Sequence, residues 1–140
     1  MSDVLEIIRR IRKAEEDAAR QELVKAESAR DVSEAVLNAM SDAMVRAQES
    51  VDGTNPALMA QQHSYLLRLE MNRRAIVHEK ARREVIVDHR RACLKTAALE
   101  TKSIENVVEA RDEREALEQN RKQQGQLDEF GSMGWWRNTA

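Results

Sequence analysis

Apolar residues return every three or four positions along most of this chain, and one short stretch of turn-forming residues interrupts them. In the first part, Leu23, Ala26, Leu37, Met40, Met44, Ala47 and Val51 share the spacing of a helix with a single apolar seam, broken by Arg30 and Ser33. Toward the start the stripe changes register to Val4, Ile7, Ile11, Ala14 and Ala18, a shift common in long, imperfect coiled coils. The interruption is "SVDGTNPAL". Gly53 suits the left-handed residue just past a helix end, and Asn55 followed by Pro56 suits an N-cap and first helical position. The pattern predicts an all-α chain: one arm over 2–51, a turn at 52–55, and a second arm from 56 to between 124 and 130. At about 1.5 Å per residue the arms measure roughly 75 and 105 Å.

Folding the chain at the turn pairs positions whose numbers add to about 108. Leu37 then meets Met71, Leu23 meets Val85, Ile11 meets Ala97 and Val4 meets Ile104. Charge supports the antiparallel arrangement. Positions 1–51 hold eight Lys or Arg against eleven Asp or Glu, whereas positions 68–95 hold nine against four. In this register Glu34 reaches Arg73 or Arg74, Glu27 reaches Arg82, and Asp17 reaches Arg90 or Arg91. The expected fold is a long antiparallel two-helix coiled-coil hairpin. Its pairing runs out near Val107, so the second helix overhangs the first. A single α-helical hairpin would then occupy 1–130 and a flexible C-terminal tail 131–140.

Composition agrees with a narrow seam. Charged residues make up 34% of the 140 residues and aromatics only 3%, with four Gly and one Pro. Three of the four aromatics, Phe130, Trp135 and Trp136, fall in the last eleven residues, around "GSMGWWRNTA". The tryptophans follow two glycines and are expected on a swinging tail, either as a binding anchor or folded back onto Ile7 and Ile11. No apolar run reaches the roughly 18 residues of a membrane span, and the start lacks a signal-peptide pattern. A reduced compartment without direct membrane insertion is the expectation.

Catalytic chemistry finds no foothold in the sequence. No phosphate-binding loop, HExxH, CxxC or nucleophile elbow occurs, so catalytic, cofactor and metal residues are all read as none. His78 and His89 stand eleven positions apart, too far for one metal, and His63 has no near histidine. Cys93 reads as a small buried hydrophobe, without a histidine one turn away on its face. The stretch "HRRACLK" is basic but lacks interleaved aromatics, and the net charge of -2 gives no general pull toward nucleic acid. The stripe Tyr65, Leu69, Asn72 and Ile76 is either part of the seam or an outward anchor.

From about Val85 to Phe130 the order of residues resembles the second arm of the FliJ family, small export proteins of the bacterial flagellum. The marks are the basic, apolar-spaced "RRACLKTAALETKSIE", the charged helix with "ER" that follows, and "LDEF" before a short tail. The first arm, the turn and the length also fit. The resemblance implies a non-enzymatic, stalk-like partner of the export ATPase hexamer at the type III export apparatus. It would work in the cytoplasm, peripheral to the inner membrane. It would also engage the cytoplasmic linker of the membrane export gate and escort export chaperones. Carried over by residue, the gate contact falls on Tyr65, Leu69 and Ile76, with polar Asn72 interrupting the stripe. The ATPase contact falls on Ile7, Ile8 and Ile11 together with Leu127, Asp128, Glu129 and Phe130. Trp135 and Trp136 depart from the family's basic, polar ending and join that contact as proposed anchors. A stalk protein of a virulence-type secretion system and a general coiled-coil scaffold or adaptor are the alternatives.

Overall fold

The computed structural model describes residues 2–50, 53 and 55–139, and the side chains of 4–50, 53 and 55–134. Two long α-helices make up the fold, α1 over Ser2–Glu49 and α2 over Pro56–Thr139, and they pack against each other. The second helix begins where the sequence places it. Asn55 caps it by accepting the amide of Ala57 on its Oδ1 at 3.1 Å, and Pro56, which has no amide to satisfy, takes the first helical position. The end of α1 differs from expectation. Gly53 is not left-handed; instead Ser50 closes the last turn, its amide donating to Arg46 O and its hydroxyl to Ala47 O, both at 3.1 Å. Val51, Asp52 and Thr54 lie outside the described residues.

The chain divides into two compact units, 1–14 with 98–140 and 15–97. In the second unit, α1 presents Ala19, Leu23, Ala26, Arg30, Ser33, Leu37, Met40, Met44 and Ala47 as its half-buried or buried line. Facing it, α2 presents Gln62, Leu66, Leu69, Arg73, Ile76, Lys80, Arg83, Val87, Arg90, Leu94 and Ala97. Both lines keep the alternating 3-4 spacing of a coiled-coil seam. Arg30 and Ser33 are therefore seam members and do not interrupt it. Among the described residues Val87 and Val108 are the buried apolar side chains, as expected where each helix covers only a narrow strip of its neighbour.

The register is one turn away from the expected 108. Ala29 with Arg83, Glu22 with Arg90, and Ser50 with Gln62 all add to 112. Gln62 Nε2 donates to Ser50 O at 3.0 Å, so the first six residues of α2 climb past the end of α1 before pairing starts, and all six are exposed. The displaced register moves Met71 and Val85 out of the seam, where they are 70% and 68% exposed. It also replaces most of the expected cross-helix ion pairs with pairs along α2: Arg73 and Arg74 bind Glu70, Arg82 binds Glu79, and Arg91 binds Asp88.

A cation in the seam holds this register. Arg83 Nη1 donates to Ala29 O at 2.6 Å and to the buried Ser33 Oγ at 2.7 Å, while its Nε reaches Glu79 at 3.2 Å. In the first unit a similar bond runs from the buried Thr101 hydroxyl to Arg12 O at 3.2 Å, beside an Arg12–Glu100 ion pair at 3.1 Å.

That first unit corrects the stripe expected near the start. Leu5, Ile8 and Arg12 occupy the seam side, whereas Val4, Ile7 and Ile11 are 57%, 53% and 51% exposed. The physical reason is helical period. Five steps of three or four residues lead back from Leu23 through Ala19, Glu16, Arg12 and Ile8 to Leu5, a mean of 3.6, which is that of an unbroken α-helix. Reaching Ala18 from Leu23 needs a step of five, which would turn the stripe off the seam. On α2 the seam continues through Thr101, Ile104, Val108 and Arg111, and residues 112–134 are exposed. The helix does not stop at 124–130 but runs to Thr139. Gly131 and Gly134 each cost only about 1 kcal/mol relative to Ala inside a helix, and no proline follows to end it.

Candidate partner-binding surfaces

The residues carried over for the gate contact separate onto two faces. Leu69 and Ile76 are half-buried members of the α2 seam, while Tyr65 and Asn72 are exposed. Tyr65 lines an open groove with Ala43, Arg46, Ala47, Ser50 and Gln62. Gln62 adds an unusual polar atom there. Its Nε2 is used on Ser50 O, but its buried Oε1 has no hydrogen-bond partner among the described residues.

The apolar face that sequence reading missed lies on the opposite side of α2. Leu67, Met71 and Val85 are exposed there, together with Arg74, His78 and Ala81. Positions 67, 71, 74, 78, 81 and 85 alternate by four and three and share one helical face. The signal was present in the sequence as Arg73, Lys80, Arg83 and Arg90, which occupy the seam and thereby turn the other apolar stripe outward. The expected register hid it, because it placed Met71 and Val85 opposite Leu37 and Leu23.

Next to this face Glu70 is held well below the usual carboxylate range, at about 2. Its hydrogen bond from Arg73, at 2.7 and 2.8 Å, is the main cause, and Arg74 at 3.3 Å adds to it. Arg30 is pushed up by its hydrogen bond to Asp31, and Arg111 likewise by Asp112, with Glu115 and Glu6 reinforcing it. The Glu70 pairs are i,i+3 and i,i+4 pairs along α2, whereas Arg30 and Arg111 are half-buried seam residues that each bind the adjacent aspartate.

The residues carried over for the ATPase contact all belong to the first unit, with unequal exposure. Ile7 and Ile11 are exposed and Ile8 is half-buried. Ile8 lines a groove between the helices with Arg12, Glu100, Ser103, Ile104 and Val107. A second depression, lined by Arg9, Glu105, Val108, Glu109, Asp112 and Glu113, is strongly acidic on its α2 wall. Leu127, Asp128, Glu129 and Phe130 are exposed on α2, with Phe130 at 72%. The backbone of Trp135 and Trp136 is helical, which corrects the expectation that they lie off a regular helix; their side chains lie outside the described residues.

One reading of a side chain is overturned. Cys93 does have a histidine one turn away: His89, with Nε2 3.6 Å from Sγ. The pair stands on the helix surface with the thiol half-exposed. Among the described residues no group of three His, Cys, Asp or Glu is placed to hold a metal ion, and no helix is long and apolar enough to cross a membrane.

The geometry offers faces for other macromolecules: an outer apolar face on α2, an exposed isoleucine stripe on α1, and a bare helical extension. No match to the chain was found among curated proteins or among solved structures. The family model of the flagellar FliJ protein, however, matches residues 1–140, so the chain belongs to the FliJ family, non-enzymatic cytoplasmic components of the flagellar export apparatus.

Proposed function

We propose that this chain is a stalk-like partner of the export ATPase hexamer. It docks through its first unit, contacts the cytoplasmic linker of the export gate with the outer face of α2, and escorts export chaperones. The observation that carries the ATPase contact is the exposure of Val4, Ile7 and Ile11 in the same unit as the exposed α2 residues 112–134. Large apolar side chains in a row on a charged helix are costly to leave in water and typical of binding surfaces. An isolated polar helix of the length of 112–134 is also marginal in water without a partner. Both features gain from one binding event.

For the gate contact, exposure favours a shift of residues. Leu69 and Ile76 stabilise the seam, so the gate contact rests on Leu67 and Met71, with Arg74 and His78 on the same face, while Tyr65 and Asn72 face another side of α2 and stay outside it. The chaperone role rests on the family resemblance. Retention tests the reading: the tagged protein, incubated with cytoplasm of a flagellated cell, should retain the export ATPase. Ile7→Asp with Ile11→Asp should lose it while keeping the gate linker, and Leu67→Asp with Met71→Asp should do the reverse. Loss of neither partner in either variant would remove the proposed surfaces.

A further inference from the structure

We propose that two copies of this chain cap each other, the exposed α2 extension of one lying against the Val4–Ile7–Ile11 face of the other. Each copy carries both halves of this contact. The first half is the α1 stripe, with Arg10 exposed beside it and Val107 exposed across the groove on α2. The second is residues 112–134, whose most exposed large apolar side chains, Leu127 and Phe130, flank Asp128 and Glu129.

The charges are complementary. Residues 2–14 hold four Lys or Arg against two Asp or Glu, a net of +2, while residues 112–134 hold three against six, a net of -3. Opposite charge beside matched apolar pairs favours and orients such a contact. The two halves do not meet within one chain. Phe130 lies nineteen residues beyond Arg111, the last half-buried residue of the α2 seam, or about 28 Å of helix. Because α2 stays helical to Thr139, it has no bend that would return Phe130 to Ile7. Between two copies, each extension reaches the other's stripe, the exchange is reciprocal, and the assembly closes at two chains. Each α1–α2 pair of the first unit then gains a third helix, which covers the groove of Ile8, Ile104 and Val107.

The inference does not depend on the ATPase reading, although it uses overlapping residues. A paired copy would hide the surface that the ATPase is proposed to take, so the two would compete. The test uses the purified full chain alone, by sedimentation equilibrium from 1 to 100 µM. The wild type should pass from monomer to dimer and no further, with weaker association as NaCl is raised from 0.1 to 0.5 M. Ile7→Asp with Ile11→Asp, and separately Leu127→Asp with Phe130→Asp, should each weaken association at least tenfold while leaving the helical signal intact. An equimolar mixture of the two variants should recover dimer, since one of the two reciprocal contacts is then wild type on both sides. A wild type that stays monomeric at 100 µM would overturn the proposal. So would association that survives either double substitution, or a mixture that recovers nothing.

Discussion

Replacing Arg83 by alanine removes a side chain of the second unit that bonds both a carbonyl and a buried hydroxyl of the facing helix. Its Nη1 lies 2.6 Å from Ala29 O and 2.7 Å from Ser33 Oγ. A hydrogen bond made by a charged group contributes about 1.5 to 3 kcal/mol net when well protected. Here Nη1 supplies a separate N–H to each acceptor, but the side chain is 31% exposed, and screening by water places the two bonds together near the low end. Its ion pair with Glu79 is only partly shielded from water and adds about 0 to 1 kcal/mol. Arg83→Ala should therefore cost about 2 kcal/mol. With a urea dependence of about 2 kcal/mol per molar, the unfolding midpoint falls by about 1 M. Arg83→Met keeps the apolar stem and adds none of the desolvation cost of a cation, so it should stay within about 1 kcal/mol of wild type. The bond also selects the register, so Arg83→Met should unfold with a broader transition and faster amide exchange around Ser33. An Arg83→Ala variant within about 0.5 kcal/mol of wild type would refute the reasoning that this cation holds the two helices together.

Leu69→Ala and Ile76→Ala should each lower stability by about 1 to 3 kcal/mol, below the fully buried range because both are half-buried, whereas Tyr65→Ala and Met71→Ala should shift the urea midpoint little. Equal losses at Met71 and Leu69 would contradict the seam assignment. Glu70 is held at about 2 against an ordinary 4.5, so its interaction with Arg73 stabilises fully above pH 4.5 and is lost as pH falls toward 2. Side-chain NMR should show Glu70 still ionised at pH 3, and titration near 4.5 would count against the pair. Thr101→Val keeps the shape of the side chain but removes its bond to Arg12 O, and should cost about 1 kcal/mol by thermal unfolding. No loss would mean that this bond is idle.

Local signals in the sequence located the helices well. Asn55 and Pro56 marked the start of α2 because a cap needs only its own amides, and the 3-4 spacing from Leu23 to Ala47 marked one face of α1. Register was harder to read, because a narrow seam of Ala, Leu, Met and Val tolerates displacement by one turn with little apolar loss. What discriminates the registers are polar contacts over long sequence distance: Gln62 to Ser50, Arg83 to Ala29 and Ser33, and Thr101 to Arg12. None has a local signature.

The same limit shaped the candidate surfaces. Val4, Ile7 and Ile11 are more apolar than Leu5, Ile8 and Arg12, so composition favoured them for the seam. Helical period assigned them to the outside, and that exposure makes them available to a partner. Tyr65, Leu69, Asn72 and Ile76 read as one stripe, yet the helix divides them between seam and surface, while Leu67 and Met71 were hidden by the displaced register. His89 was legible four residues before Cys93, and only its spacing needed counting.

The export-ATPase partnership is tested most directly by titrating the purified ATPase hexamer against the full chain and following binding by calorimetry. The wild type should bind, and Ile7→Asp with Ile11→Asp should weaken the complex at least tenfold with helical content unchanged, as should deletion of residues 131–140 with Leu127→Asp and Phe130→Asp. A complex whose affinity is the same in all these variants, or no binding by the wild type, would contradict the account.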